Sequence, residues 1–202
     1  MKILFINSVY QYGSTGRLVK TLKEAAENEG HEVLVAYGRN KQSESEDTFY
    51  FGNHVSSFWH LLMTRLFGRH GLHSKRKTRQ LIRKIEAFKP DVIHIHNVHG
   101  YYLNVPMLFE YLKTTDSKVL WTHHDCWAFS GSGAYFDYDG CDVWDEGCVI
   151  NKSTKTYPQV WLKPNQERNF KWKKDVFTSL KQMHIITVRE TLKDIRKATF
   201  LK

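Results

Sequence analysis

The chain contains 202 residues, 41% of them apolar and 25% charged, which fits one folded domain over residues 1–202 and is short for a two-domain enzyme. The formal net charge of +9 favours an anionic partner, whether phosphate groups, nucleic acid or a membrane surface. No apolar run approaches the roughly 20 residues of a membrane span, and MKILFINSV lacks the apolar region and cleavage site of a signal peptide. We therefore expect a soluble, cytoplasmic protein.

The beginning of the chain predicts a β-α-β unit. ILFI (3–6) is a short apolar run, as expected of a parallel strand buried on both faces. A loop with two glycines follows, and apolar residues then recur at helical spacing until Gly30, which stands where a helix-ending glycine belongs. HEVLVAY (31–37) is typical of the next strand.

The same alternation continues through the rest of the chain. The later predicted elements are a helix near 81–88, a strand at 91–96, a helix opened by Asn104 and Pro106, a strand at 118–121, a helix near 164–181, a strand at 185–188 and a final helix. This order predicts an α/β fold, a Rossmann-like, mostly parallel open sheet with helices on both faces. Such sheets bind ligands beyond the carboxyl ends of their strands, so the loops after the strands are the candidate site.

A glycine-containing loop follows the first predicted strand. Gly13, Ser14, Thr15 and Gly16 directly precede a helix, where free N–H groups and the helix dipole attract anions. Two interpretations are open here: a loop that binds the phosphates of a ligand, or a tight strand-to-helix turn that needs glycine for its geometry alone. The spacing matches neither the dinucleotide-binding nor the P-loop pattern.

Histidines cluster after two of the later strands. His96 and His99 stand at the carboxyl end of one strand, and His123, His124 and Asp125 follow the next. Consecutive side chains point in divergent directions, so these residues lack the arrangement of converging zinc ligands. We therefore predict no bound metal.

The three cysteines, Cys126, Cys141 and Cys148, fit neither a secreted disulfide framework nor a complete zinc site. Cys126 is better explained as a small buried thiol than as a nucleophile. The loops are rich in Tyr, Trp and His, which suit sugar rings because these offer an apolar face and hydroxyl groups. The predicted acceptor- or sugar-binding residues are His96, Asn97, His99, Tyr101, Asp125 and Trp127.

The segment 56–84 combines apolar and basic residues. Apolar residues between Phe58 and Phe67 could form one face of a helix, flanked by basic residues between Arg65 and Arg79. This pattern is typical of an interfacial anchor on an anionic membrane, and a core-facing helix followed by a solvated basic helix has the same composition. No nucleic-acid recognition motif accompanies the charge, so we expect no nucleic acid partner.

Four stretches of the sequence carry a resemblance to a known family. They are MKILFINSVYQYGSTGR, GHEVLVAYGR, KPDVIHIHNVHGYYLNVPMLFEYLK and THHDCWAFSGSGAYFDYDGCDVWDEGC. They resemble the amino-terminal domain of GT-B glycosyltransferases of the GT4 type, in the branch found in bacterial capsule, exopolysaccharide and colanic-acid gene clusters. In that family two Rossmann-like domains face each other, the first mainly receiving the acceptor and the second mainly binding the sugar nucleotide.

The resemblance implies a retaining, metal-independent enzyme without a cofactor. Such an enzyme transfers a sugar from a nucleotide sugar to a glycan or lipid-linked acceptor in surface polysaccharide synthesis, as a cytoplasmic protein that could be peripheral on the inner face of the membrane. The resemblance further implies that the stretch from Gly13 to Gly16 approaches the donor diphosphate. It gives His124 the catalytic position, that of a histidine in contact with the transferred sugar. The alternative is a non-catalytic, truncated acceptor-binding or regulatory module.

The chain departs from the family pattern at several places. His123 stands where relatives have an apolar residue, so either His123 or His124 could enter the cleft. Residues 132–133 and 151–152 replace cysteine-containing pairs, and the acidic E-x7-E donor motif is missing. We therefore expect residues 1–202 to be an amino-terminal domain without the carboxyl-terminal donor domain, inactive alone, with an open interdomain face that could self-associate.

Overall fold

The structure is a computed structural model, and it describes residues 1–42, 45–131, 134, 159–163, 165–180 and 182–188. The strands are β1 (Lys2–Val9), β2 (Glu32–Arg39), β3 (Thr48–Tyr50), β4 (Val92–Ile95), β5 (Lys118–His123) and β6 (Met183–Thr187). The helices are α1 (Gly13–Asn28), α2 (His54–Phe67), α3 (Lys75–Phe88), α4 (Val105–Leu112) and α5 (Gln166–Thr178), with a 3₁₀ turn at Trp127–Phe129. Cys141, Cys148 and the predicted final helix lie outside the described residues.

The described strands form one sheet in the order β3-β2-β1-β4-β5-β6. All neighbouring pairs are parallel, and Leu4 of β1 is in register with Leu34 of β2 on one side and Ile93 of β4 on the other. The predicted parallel sheet is confirmed, and β3 is an additional edge strand. Strand order reverses between β1 and β4, which is where open α/β sheets bind their ligands.

Alternating side chains of β1 belong to two separate cores. Leu4 and Ile6 are fully buried among residues of α3, α4 and α5, whereas Phe5 packs on the opposite face with Val19 of α1. Burying each such side chain stabilises the fold by about 1.5–3 kcal/mol. Helices therefore cover both faces of the sheet, as predicted.

The buried face of helix α1 includes a charged residue, whereas one of its apolar residues is exposed. Leu18 is 38% exposed, while Lys23 is buried and its ammonium group binds the carboxylates of Glu27 at 2.6 Å and Asp47 at 2.5 Å. Burial by itself would lower the pKa of Lys23, but the two carboxylates raise it above the ordinary value. The chain leaves α1 through Gly30, whose φ of 78° lies in the left-handed region, as predicted.

Helix α2 has polar residues at its most buried positions and several large apolar residues in solvent. Its buried residues are His60 and Thr64, whereas Val55, Phe58 and Trp59 are exposed. The apolar residues of this segment are therefore divided, because Leu61, Leu62 and Leu66 are half-buried while Val55, Phe58 and Trp59 are exposed, so both interpretations of the segment stay open. No helix within the described part of the chain is both long enough and apolar enough to span a membrane.

The buried His60 ties α2 to the turn before α3. Its Nε2 accepts the N–H of Gly71 at 3.0 Å, so the ring proton lies on Nδ1, which is 3.0 Å from the hydroxyl oxygen of Ser74. Burial lowers the pKa of His60 to about 3, and the ring is neutral. A neutral histidine with both nitrogens bonded explains how this helix can turn polar side chains inward.

Candidate functional site

The loops that follow β1, β4 and β5 come together at the carboxyl edge of the sheet. These strands are neighbours and run parallel, so Gly16, His99 and His124 lie at the same edge. These three loops, which the sequence predicts to form the candidate site, are therefore adjacent. Since this edge includes the reversal of strand order between β1 and β4, it is the expected ligand position for the fold.

The glycine stretch forms the first turn of α1 and is not a separate loop. Tyr12 precedes the helix without a side-chain cap, and no acidic residue stands in the first turn, so its backbone N–H groups keep their positive potential. Gly13 has a φ of 64°, and a Cβ there would meet no atom within 4 Å. Gly16 is buried, and a Cβ there would come within 3.2 Å of Val9 and Gln11. Gly16 thus serves helix packing, and the open side of the turn lies at Gly13.

Asn7, near the end of β1, connects two of these loops. Its buried side chain donates to the carbonyl of Val9 at 2.8 Å, lies 3.4 Å from the hydroxyl of Thr15, and accepts the N–H of Asn97 at 3.2 Å. One amide thus holds the start of α1 against the β4 loop, while Ser14 remains exposed. Asn7 is absent from the predicted site residues, although a polar residue directly after the ILFI run was a usable signal.

The loop after β4 is fixed by side chains that bind its backbone. The indole N–H of Trp121 donates to the carbonyl of His96 at 2.9 Å, and the hydroxyl of Tyr102 donates to the carbonyl of Asn97 at 2.6 Å. The loop then reverses through Gly100 and Tyr101, whose φ angles are 131° and 66°. A non-glycine residue rarely adopts such a φ, so the packing of the nearly buried Tyr101 enforces this conformation.

His96 and His124 form a hydrogen-bonded pair between the β4 and β5 loops. Nδ1 of His96 lies 3.0 Å from Nε2 of His124, and the rings are 20° from parallel with centroids 5.3 Å apart. Burial, assisted by neighbouring histidines, lowers the pKa of His96 to about 2, and burial also lowers the pKa of His124. Both rings are therefore neutral at pH 7, and one must donate while the other accepts.

Hydrogen-bond accounting assigns the protons of this pair. Nε2 of His96 is buried and has no hydrogen-bond partner among the described residues. Buried N–H groups without an acceptor are rarer than acceptors left partly unsatisfied, so we assign the His96 proton to Nδ1, which donates to Nε2 of His124. The proton of His124 then lies on Nδ1. His124 is therefore left with an N–H group that the pair does not use.

His123 and His124 occupy different environments. His123 is 4% exposed, and its ring packs edge-on against Trp121 with centroids 4.4 Å apart and contacts Phe129 at 5.5 Å. Burial lowers the pKa of His123 to about 4. His124 is only half-buried, so it is the one of the two that reaches the surface of the candidate site.

A second pair joins the same two loops. Nε2 of His99 donates to Oδ2 of Asp125 at 2.7 Å, while Oδ1 of Asp125 accepts the backbone N–H of Trp127 at 2.9 Å. Burial alone would raise the pKa of Asp125, but His99 and this N–H outweigh burial and hold the pKa below its ordinary value. Asp125 is therefore an ionised carboxylate, and both of its oxygens already have partners within the protein.

Trp127 lies beneath the site and not on its surface. It is 1% exposed, and its indole N–H donates to Nδ1 of His70 at 2.9 Å. Lys173 of α5 donates to the carbonyls of Trp127 and Ser130 at 2.7 and 2.9 Å, and its Nζ lies 3.8 Å from the centre of the indole ring. Trp127 was predicted to contact a sugar. In this structure protein covers its ring, so the ring is not placed for such a contact. No sequence pattern marks Lys173, a lysine buried in a helix of ordinary polar composition.

The remaining predicted residues differ in how far they reach solvent. Asn97, His99, Asp125 and His124 are partly accessible, while His96 and Tyr101 are buried. A cavity of about 10 Å³ between the β4 and β5 loops is lined by the His96–His124 pair and the His99–Asp125 pair. This space holds about one water molecule and no sugar ring, so a sugar would have to lie on the outer side of the loops.

The histidines do not form a metal centre in the described residues. Across 1–42, 45–131 and the shorter described segments, no group of three His, Cys, Asp or Glu side chains is placed to hold a metal ion. Cys141 and Cys148 lie outside these segments, so the expected absence of a metal stays a prediction.

Comparisons with known proteins match the chain over most of its length. The family model described as Glycosyltransferase Family 4 matches residues 15–196. Over 76 residues the chain is 33% identical to WcaC of Escherichia coli (strain K12), which is named as a candidate colanic acid biosynthesis glycosyl transferase. That segment covers 35% of this chain and 18% of the relative. No solved structure matches the chain.

Proposed function

Because the chain belongs to glycosyltransferase family 4, we propose that it forms the acceptor side of an enzyme that transfers a sugar from a nucleotide sugar to a glycan or lipid-linked acceptor. The relative from Escherichia coli is named for colanic acid biosynthesis. We therefore propose surface polysaccharide synthesis as the process in which the transfer takes place. The reaction uses neither a metal nor a cofactor in this proposal.

One observation carries the proposal, namely that the uncapped start of α1 and the His96–His124 pair share one edge of the sheet. The free N–H groups of the first turn suit the diphosphate of a nucleotide sugar. The same groups stabilise negative charge as it grows on the departing diphosphate. Asn7 links the start of α1 to the β4 loop, so both parts of the site stay in register.

His124 orients the transferred sugar in this proposal. Its neutral ring is fixed by His96, and its Nδ1–H is available to a sugar hydroxyl. A neutral donor matches an uncharged hydroxyl, and a ring of depressed pKa stays neutral in the cytoplasmic pH range. In this proposal the new glycosidic linkage keeps the anomeric configuration of the donor sugar, as the chain's resemblance to retaining enzymes implies.

The His99–Asp125 pair positions the loops that carry His124 and Asn97. The ionised carboxylate of Asp125 accepts hydrogen bonds from His99 in the β4 loop and from the N–H of Trp127 in the β5 loop. It therefore fixes the distance between these two loops. Trp127 and Lys173 support that turn from below. Asn97 and the exposed edge of His99 are then the groups closest to an acceptor hydroxyl.

We further propose that residues 1–202 need a donor-binding half for turnover, as the resemblance to two-domain enzymes implies. The test is sugar transfer from a panel of nucleotide sugars to lipid acceptors extracted from cells. It is run with the 202-residue chain alone and with a donor-binding half of a family 4 enzyme added. We expect product only in the mixture, with the anomeric configuration of the donor. Robust transfer by the chain alone would contradict the need for a second half.

A matched pair of variants tests His124 in the same assay. His124→Ala removes the proposed donor and should lower turnover by roughly 100-fold or more. His184→Ala removes an exposed histidine at the sheet edge farthest from β3 and should leave turnover unchanged. Acceptor binding without transfer, whatever donor half is added, would instead favour a non-catalytic module.

A further inference from the structure

The outward face of α2 is apolar and exposed to solvent. Val55, Phe58 and Trp59 are 77%, 66% and 55% exposed, although they stand on a well-formed helix whose inward residues are His60 and Thr64. A surface helix normally shows the reverse pattern, with its apolar stripe towards the core. The side chains that this helix exposes are therefore placed for something other than folding.

A second segment extends this face. Residues 159–163 run along the end of α2, where the N–H of Trp161 donates to the carbonyl of Arg65 at 2.6 Å and the N–H of Lys163 to that of Leu66 at 3.1 Å. Trp161 and Leu162 are 64% and 69% exposed. Arg65 lies 5.8 Å from the centre of the Trp161 ring and stands two helical turns after Phe58, on the same side of the helix. We call Val55, Phe58, Trp59, Trp161 and Leu162 the aromatic strip.

The stretch of sequence that contains α2 and the start of α3 carries only positive charge. From Thr48 to Ile85 the sequence contains no acidic residue. The basic residues in this stretch are Arg65, Arg69, Lys75, Arg76, Lys77, Arg79, Arg83 and Lys84. Ser74, which directly precedes α3, is 3.3 Å from the hydroxyl of Ser56, so the basic start of α3 lies beside the first turns of α2.

Three of these cations stand where the fold disfavours them. Lys75, Arg76 and Lys77 form the first turn of α3, which contains no acidic residue. The helix dipole places positive potential at this end, so each cation there is locally unfavourable. An external anionic surface would remove that cost.

We propose that the aromatic strip and the basic start of α3 bind an anionic lipid bilayer. Tryptophan and phenylalanine insert at the level of the lipid headgroups, while arginine and lysine side chains reach the phosphates. Two exposed tryptophans, one of them against Arg65 and the other in a stretch without acidic residues, match this surface better than they match a second copy of the chain. A two-fold contact would set the same cations against each other.

The proposed surface adjoins the candidate site. His60, on the inward side of α2, contacts the ring of Tyr101 with centroids 5.9 Å apart, and Tyr101 belongs to the β4 loop. Docking through α2 would therefore hold the β4 loop of the candidate site near the bilayer. The role given to this surface rests on the proposed transfer to a lipid-linked acceptor. The exposed residues and contacts that define the surface are independent of that proposal.

The test is sedimentation of the full chain with vesicles of phosphatidylcholine, with and without phosphatidylglycerol. We expect binding only to the anionic vesicles, and weaker binding as salt is raised. Trp59→Ser with Trp161→Ser should lower the partition constant by about tenfold or more. Arg76→Glu with Lys77→Glu should do the same. Both pairs are exposed or at a helix start, so circular dichroism should show unchanged folding.

A matched control separates local from overall charge. Lys89→Glu with Lys118→Glu changes the net charge equally at the opposite edge of the sheet, and should leave most of the binding intact. Equal binding to neutral vesicles, equal loss with the control pair, tighter binding to DNA or RNA, or a dimer dissolved by the tryptophan changes would each overturn the proposal. Because this assay contains neither donor nor acceptor, its failure would leave the proposed transfer activity untouched.

Discussion

Gly38 of β2 lies directly against the side chain of Tyr102, so closely that a Cβ at residue 38 would overlap the Cβ and Cγ of the tyrosine. The hydroxyl of Tyr102 donates to the carbonyl of Asn97 in the β4 loop. A glycine in one strand thereby permits the tyrosine that fixes a loop of the candidate site.

Gly38→Ala should therefore destabilise the protein by about 1–3 kcal/mol, because the tyrosine must move away from a well-packed position. Tyr102→Phe removes only the hydroxyl and should cost about 0.5–1.5 kcal/mol. Urea unfolding measures both values. A smaller loss for Gly38→Ala than for Tyr102→Phe would show that the ring can shift freely.

Lys173→Met should lower the free energy of unfolding by about 1–3 kcal/mol, because the carbonyls of Trp127 and Ser130 lose their buried donor. Burial holds the pKa of Lys173 well below its ordinary value, yet the side chain keeps both carbonyls bonded. Lys171→Met, at an exposed position of the same helix, is the control and should have little effect. Equal urea midpoints for the two variants would contradict a supporting role for Lys173.

Stability should fall steeply as the pH drops from about 6.5 towards 4. Burial lowers the pKa of His60 to about 3 and the pKa values of His94 and His123 to about 4. Between these values and the unfolded pKa of about 6.5, the unfolded chain binds more protons than the folded chain, so lowering the pH favours unfolding. Each such histidine contributes a slope on the order of 1.4 kcal/mol per pH unit, measurable by urea unfolding at several pH values.

His123→Leu should reduce the pH dependence of the unfolding free energy by the share of one histidine, on the order of 1.4 kcal/mol per pH unit. The reason is that it removes a buried neutral ring, which packs against Trp121. Phe129→Leu, which changes the packing of the same ring without removing a titratable group, serves as the control and should leave the slope unchanged. A slope unaffected by His123→Leu would mean that His123 takes up its proton in the folded state.

Ser14→Asp should have opposite effects on stability and donor binding. A carboxylate in the first turn of α1 compensates the helix dipole and should stabilise the fold by about 0.3–1 kcal/mol. The same charge repels a diphosphate, so the KM for the nucleotide sugar should rise in the assembled enzyme. Ser14→Asn is the uncharged control. A raised melting temperature with an unchanged KM would place the diphosphate elsewhere.

The succession of strands and helices along the chain could be predicted because the strands are apolar runs that turns and helices separate clearly. β3 was missed because a strand of three residues, Thr48–Tyr50, leaves no periodicity to detect. The spacing of apolar residues in α2 could indicate an amphipathic helix. It could not show that His60 and Thr64 would be the buried side, since that depends on Gly71 and Ser74 from a later turn.

The candidate site was predictable in position but not in detail. Loops at strand ends follow from topology, whereas the choice between His123 and His124 depends on which side of β5 packs against Trp121 and Phe129. The burial of Trp127 likewise depends on Lys173, which lies far along the chain. Long-range packing of this kind leaves no local pattern in a single sequence.

The reversal of strand order between β1 and β4 also bears on how enzymes of this architecture diversify. Helix α1 leaves towards one face of the sheet and α4 towards the other, so the two connections share only the rim of the crevice between them. Substitutions in one rim can change the shape offered to a substrate without repacking the core beneath the other. The Asn7 amide keeps both rims in register while they change. At the proposed acceptor site, new specificities can thus arise by surface mutation at little cost in folding.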